Sequence, residues 1–160
     1  MNACSRNYLL LGFGLCMSIY GYAQNINTPI EMLADRMKLQ PRPVMILVST
    51  DWCLYCQMQK AQLLKNKTFI AAKNEIYYSE LDAEAKKDIS FNGRIYHYKN
   101  FGNARGLHEL VIALADKQKG FSYPFWIILD KDYNVLVRRN GLLAPNEVNK
   151  IVEILIKTGR

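Results

Sequence analysis

The sequence predicts an α/β domain, a central mixed sheet flanked by helices on both faces. Three observations lead to it. The run Val44-Met45-Ile46-Leu47-Val48 is uniformly apolar, which suits a central strand covered on both sides rather than one with a wet face. Strand-like and helix-like stretches alternate after it, and the chain closes on a hairpin followed by a helix. At 160 residues the chain is long enough for one domain with a substantial core.

The elements follow in order. Thr28-Pro29 opens a helix over Ile30 to Leu39, with threonine as cap and proline at the first helical position. Gln40-Pro41-Arg42-Pro43 stops it, and the apolar strand follows. A helix is expected from Cys53 to about Lys73, with Met58, Ala61, Leu64 and Phe69 as its apolar contacts and Asn74 as its end. Ile76 to Leu81 reads as the second strand. The stretch 82–103 is the least regular, with Asn92-Gly93 as a turn and Arg94 to Tyr98 as strand-like residues beside it. It is longer than an ordinary connection, so it either covers a sheet edge or shapes a partner surface. Gly106 to Lys119 returns to helical spacing. Phe125 to Leu129 and Tyr133 to Arg138 form a hairpin about Asp130-Lys131-Asp132, and Asn146 to Lys157 is the last helix.

The ends and the charge bound the function. Arg6, the apolar run Tyr8 to Tyr20 and the small residues of Gly21-Tyr22-Ala23 predict an export signal over 1–23, cleaved near Ala23. The run is short for a membrane span, and uncleaved anchoring is the alternative. Residues 24–160 then form the single domain, periplasmic or envelope-associated. The chain carries 21 basic and 14 acidic side chains, a net charge of +7. The basic residues are scattered rather than striped with aromatics, which argues against nucleic acid as a partner. No glycine-rich phosphate loop precedes a Lys-Ser/Thr pair, and no HExxH motif occurs.

The chemistry concentrates in Ser49-Thr50-Asp51-Trp52-Cys53-Leu54-Tyr55-Cys56. A thiol where a strand hands over to a helix meets unpaired backbone N–H groups and the positive end of the helix dipole. Both favour thiolate over thiol. A second thiol one turn later lies on the same face and can close a disulfide with the first. Export would remove Cys4 and Cys16, leaving only Cys53 and Cys56, and no other pair for a structural framework.

Trp52-Cys53-Leu54-Tyr55-Cys56 resembles the WCxxC active site of thioredoxin-like proteins, and Tyr123-Pro124 resembles their cis-proline loop. The resemblance covers most of 43–155 and runs in the family order of strand, WCxxC helix, then proline before a hairpin. With the export segment, it is closest in kind to the exported thiol-disulfide oxidoreductases. It implies a thioredoxin-like fold, with Cys53 as the exposed nucleophile and Cys56 as the resolving thiol. Trp52 would pack beside the site and restrict solvent, Leu54 and Tyr55 would tune the helix terminus, and Tyr123 with a cis Pro124 would hold an extended client strand. The expected cofactor is none beyond the redox-active disulfide, with no metal. The partners are a protein client and a redox partner, a membrane electron donor if the protein is a reductase.

The chain also departs from the family pattern. Leu54-Tyr55 replaces the familiar Gly-Pro and lacks the histidine of strongly oxidising relatives, so reduction is the expected direction. Leu47 stands where many thioredoxins carry a buried aspartate, leaving Glu80 or Asp82 as candidate proton relays. Asp51 beside the site opposes the helix by raising the thiol pKa. Two rival functions remain at this level. A soft-metal protein for copper or zinc would recruit His97, His108, Met45 or Met58 to the thiolates. A binding module would use Tyr96, Tyr98 and Tyr123, with the disulfide as a staple.

Overall fold

The computed structural model describes residues 26–102, 105–115, 120 and 122–159; the expected signal 1–23 with Cys4 and Cys16 lies outside them. α1 spans Ile30–Leu39, β1 Val44–Ser49, α2 Leu54–Leu63, α3 Lys67–Ala71 and β2 Tyr77–Asp82. Short strands follow: β3 Ile89–Phe91, β4 Arg94–Tyr96, β5 Tyr98–Lys99 and β6 Leu107–His108. α4 Glu109–Leu114, β7 Phe125–Leu129, β8 Val135–Asn140 and α5 Pro145–Gly159 complete the chain. Among the described residues, no helix is long and apolar enough to cross a membrane.

The main sheet runs β2-β1-β7-β8, with β1 parallel to β2 and antiparallel to β7, which is antiparallel to β8. All six residues of β1 are buried, the reason its sequence is apolar without alternation. Its side chains still divide by parity. Val44, Ile46 and Val48 enter one apolar cluster with Leu33 and Met37 of α1 and Leu110 of α4. Met45 and Leu47 enter a second with Leu63 of α2, Phe69 of α3 and Val152 of α5. One layer of helix on each face is the predicted α/β architecture.

Several local expectations are corrected. The helix expected to reach Lys73 breaks after Leu63. Asn66 caps a new helix, its Oδ1 accepting from Phe69 N at 2.9 Å, while its Nδ2 donates to Asn149 of α5 at 2.9 Å. Two side-chain hydrogen bonds at one residue outweigh the apolar spacing that reads as continuous helix. Thr28 does not cap α1. Pro29 takes that position, and Thr28 is drawn to β2, its N–H donating to Tyr78 O at 2.7 Å and its carbonyl accepting from Ser79 Oγ at 2.7 Å. Leu107 and His108 pair with β5, so the helix expected from Gly106 begins only at Glu109, capped by His108. Gly106 is required there: a Cβ would collide with the Tyr98 hydroxyl and the Lys99 carbonyl. Residues 116–119, the expected end of that helix, lie outside the described residues. Tyr133 belongs to the turn, with φ +65°, and the return strand starts at Val135.

The stretch after β2 contains the hairpin anticipated at Asn92-Gly93, both with positive φ as a two-residue turn requires. Ile89 and Phe91 are buried in the α1-side cluster, so one part of this stretch covers that side of the core. On the other face, the fully buried Gln59 ties α2 to the loop before α5. It accepts from Leu143 N at 2.7 Å and donates to Leu143 O at 3.3 Å. Gln59→Ala strands both backbone groups and is expected to cost about 1–3 kcal/mol. Urea denaturation checks this, and an unshifted midpoint would mean that solvent replaces both bonds.

Candidate active site

β1 delivers the chain to a tight turn in which Cys53 N donates to Thr50 O at 3.2 Å. That turn leaves Cys53 extended, at φ −81° and ψ 101°, as the N-cap of α2. Its Sγ accepts from Cys56 N at 3.1 Å, doing what a capping oxygen does elsewhere. Cys53 and Cys56 form a disulfide, with their Cα atoms 5.3 Å apart. No acidic residue occupies the first turn of α2, so the helix terminus acts on Cys53 without a competing carboxylate inside the helix.

Cys53 is less exposed than expected, at 6% against 1% for Cys56. The order of the two thiols is as anticipated, but the turn folds the capping residue inward. The open surface beside it belongs to Trp52, Leu54 and Tyr55, all more than half exposed. The second wall comes from the strand across the sheet. The β1–β7 ladder ends at Val48 opposite Phe125, which places Tyr123 and Pro124 beside the cysteine turn. The Tyr123–Pro124 peptide bond is cis, and Gly141 N donates to Pro124 O at 2.8 Å. The Trp52 and Tyr123 rings meet edge to face with centroids 5.9 Å apart.

Sequence reasoning missed two residues that hold Trp52. Glu84 Oε1 accepts from Trp52 Nε1 at 3.1 Å, and the Arg105 guanidinium lies over the indole, 4.8 Å from its centroid. Arg105 Nη1 also stands 3.8 Å from Glu84 Oε1. Both partners are far from Trp52 in sequence and carry no motif. The only signal was the irregularity of the stretch that leads to them. Burial, then the charges of Glu84 and Asp82, push the Tyr123 phenol up to about 12, so it stays a neutral hydroxyl beside the disulfide.

The two relay candidates part company. Glu80 is the register partner of Leu47 and shares its face, toward α2. There it pairs with Lys60 Nζ at 2.7 Å and accepts from Tyr78 Oη at 3.1 Å. Lys60 lies one turn beyond Cys56 on the same helix. Asp82 ends β2 opposite Ser49, and its Oδ1 accepts from Glu84 N at 3.0 Å. The imidazoles have other partners. His97 Nδ1 is 2.8 Å from Asp88 Oδ1. Buried His108 accepts from Leu110 N at Nδ1, which makes Nε2 the donor to Lys87 O at 3.1 Å. Among the described residues, no group of three His, Cys, Asp or Glu is placed to hold a metal ion.

No protein-family model matches the chain, and no curated protein sequence matches it significantly. Solved structures do. A thioredoxin-fold protein from Helicobacter pylori superposes with a TM-score of 0.52 at 14% identity, over 88% of this chain and 95% of that one. Chloroplastic thioredoxin z superposes with a TM-score of 0.51 at 17% identity, over 83% of this chain and 96% of the other. At these identities what is shared is the fold. The strand order, the cysteine pair at the start of α2 and the cis-proline strand across from it make this chain a thioredoxin-fold protein with a CxxC disulfide, Cys53–Cys56.

Proposed function

We propose that the protein is an exported thiol-disulfide oxidoreductase that exchanges disulfides with protein clients, running as a reductase. The observation that carries this reading is Cys53 as the N-cap of α2, its sulfur already accepting a backbone N–H and more accessible than Cys56. A sulfur so placed is stabilised as a thiolate, the form that attacks. The adjacent cis-proline strand supports a client held in extended form by the Tyr123 backbone and Pro124.

In the proposed cycle the Cys53 thiolate attacks a client disulfide, and one client sulfur leaves as a thiolate. Cys56 then loses its proton, attacks Cys53 Sγ and releases the second client thiolate. Two electrons pass from the pair to the client, and a membrane electron donor restores the dithiol. We assign the Cys56 proton to Glu80 rather than Asp82. Glu80 flanks the Leu47 position on the α2 face, and its Lys60 partner stands one turn from Cys56. The reductase direction rests on Leu54-Tyr55, which offers no histidine beside Cys56.

The reduction potential of the pair tests the proposal. Equilibration of protein lacking 1–23 with glutathione or dithiothreitol, followed by thiol trapping, is expected to give about −230 mV or lower. A value near about −120 mV would make the protein a disulfide-forming oxidant. A pair that cannot be cycled would favour the binding module, for which the exposed Trp52, Leu54, Tyr55 and Met58 form a ready apolar rim.

A further inference from the structure

Arg105 occupies the type of site that recognises a cation. The indole of Trp52 supplies a π face at 4.8 Å, and Glu84 supplies a carboxylate at 3.8 Å, at the outer limit of an ion pair. The Trp52 N–H···Glu84 bond, at 3.1 Å, locks face and carboxylate into one unit. That bond does not involve Arg105, whose hold is loose: the Arg105 side chain is 65% exposed and Glu84 only 27%. The unit also begins at the residue next to Cys53.

The surrounding charge points the same way. The chain is basic, with a net charge of +7. Yet Asp51, Asp82 and Glu84 gather around the cysteine turn, and Lys60 is already paired with Glu80. The Tyr123 phenol registers that local negative field from Glu84 and Asp82. The redox face is therefore an acidic notch on a basic protein, with Arg105 as its internal counter-ion.

We propose that the Trp52–Glu84 cradle selects clients that carry a lysine or arginine beside the reactive cysteine, and that Arg105 is a placeholder which such a side chain displaces. The proposal rests on the oxidoreductase reading of Cys53 and Cys56, and it names the client class for that site. Displacement is an exchange of one cation for another on the same indole and carboxylate. It costs little for a cationic client and leaves Glu84 unpaired by the client when a neutral or acidic one binds.

The test uses three disulfide-linked peptides, identical but for Lys, Gln or Glu on either side of the cysteine, with dithiothreitol as electron donor. The Lys peptide is expected to have about a tenfold higher kcat/KM than the Glu peptide at low ionic strength, mostly through KM. Salt should shrink the difference. Glu84→Gln keeps an acceptor for the indole and should reduce the ratio to about threefold or less. Arg105→Ala should lower KM for the Lys peptide about threefold, because the cradle then starts empty. A Lys-to-Glu ratio near one, or a ratio unmoved by Glu84→Gln, overturns the proposal. So does an Arg105→Ala variant with an unchanged or higher KM for the Lys peptide. If no peptide turns over, the oxidoreductase reading fails instead. Equilibrium binding of the same peptides with serine in place of cysteine then decides the cradle alone: tighter Lys binding that Glu84→Gln abolishes supports it, and equal binding refutes it.

Discussion

Cys53→Ser is expected to reduce disulfide exchange to the uncatalysed rate, the largest change in activity any single substitution here should produce. The serine keeps a capping oxygen for Cys56 N, so α2 should still form. What disappears is the sulfur that caps α2, the nucleophile of the proposed cycle. Cys56→Ser should behave differently. Cys53 can still attack, but nothing resolves the product, so a mixed disulfide with the client accumulates and runs as a slower band on non-reducing gels. The pair of outcomes assigns the two roles. Trapping through Cys56 in a Cys53→Ser protein, with none through Cys53, would reverse them, and turnover that survives loss of Cys53 would remove the redox reading altogether.

Leu47→Asp should have the largest effect on stability. Leu47 is fully buried in the α2-side cluster with Leu63, Tyr78 and Trp126. A carboxylate there is desolvated, and its nearest charged neighbour across the ladder, Glu80, is itself an acid. Both effects raise its pKa in the folded state. The sign follows: above the unfolded carboxylate pKa of about 4, the unfolded chain ionises freely while the folded one resists. The part of the loss due to ionisation is therefore small in acid, where the lost apolar packing remains, and it grows as pH rises toward the folded pKa. At pH 7 it should reach about 3–5 kcal/mol, the scale for an uncompensated buried charge. Denaturation of the variant and the parent at pH 4 and pH 7 measures it. A loss equal at the two values would show that the new carboxyl stays solvated and keeps its unfolded-state pKa in the folded protein.

That comparison also bears on the proton path. Leucine at 47 gives the sheet an apolar centre, so in the proposed cycle the acid for Cys56 comes from another position. Glu80, the relay assigned in the proposed cycle, is bridged to Lys60 and only partly buried.

Much of the fold was legible because it is written locally. The bounds of α1, the buried character of β1, the Asn92-Gly93 hairpin and the start of α2 at the CxxC turn follow from neighbouring residues and from periodicity. What failed had a common origin. Apolar spacing joined α2 to α3 because it does not register that Asn66 can cap one helix and bind Asn149 of α5. Gly106 to His108 read as helix because nothing nearby announces Tyr98, whose hydroxyl takes the Gly106 N–H at 3.1 Å.

The sequence by itself determined the α/β class, the cysteine pair and its place at a strand-to-helix junction, because each depends on contacts within a few residues. Only the tertiary structure decided which carboxylate flanks Leu47 and which segments wall the disulfide. It also decided that Cys53 is mostly covered and that Glu84 and Arg105 close on Trp52. Those outcomes depend on strand register and on the return of a segment more than thirty residues away. Propensity and periodicity carry no record of which partners such returns bring together.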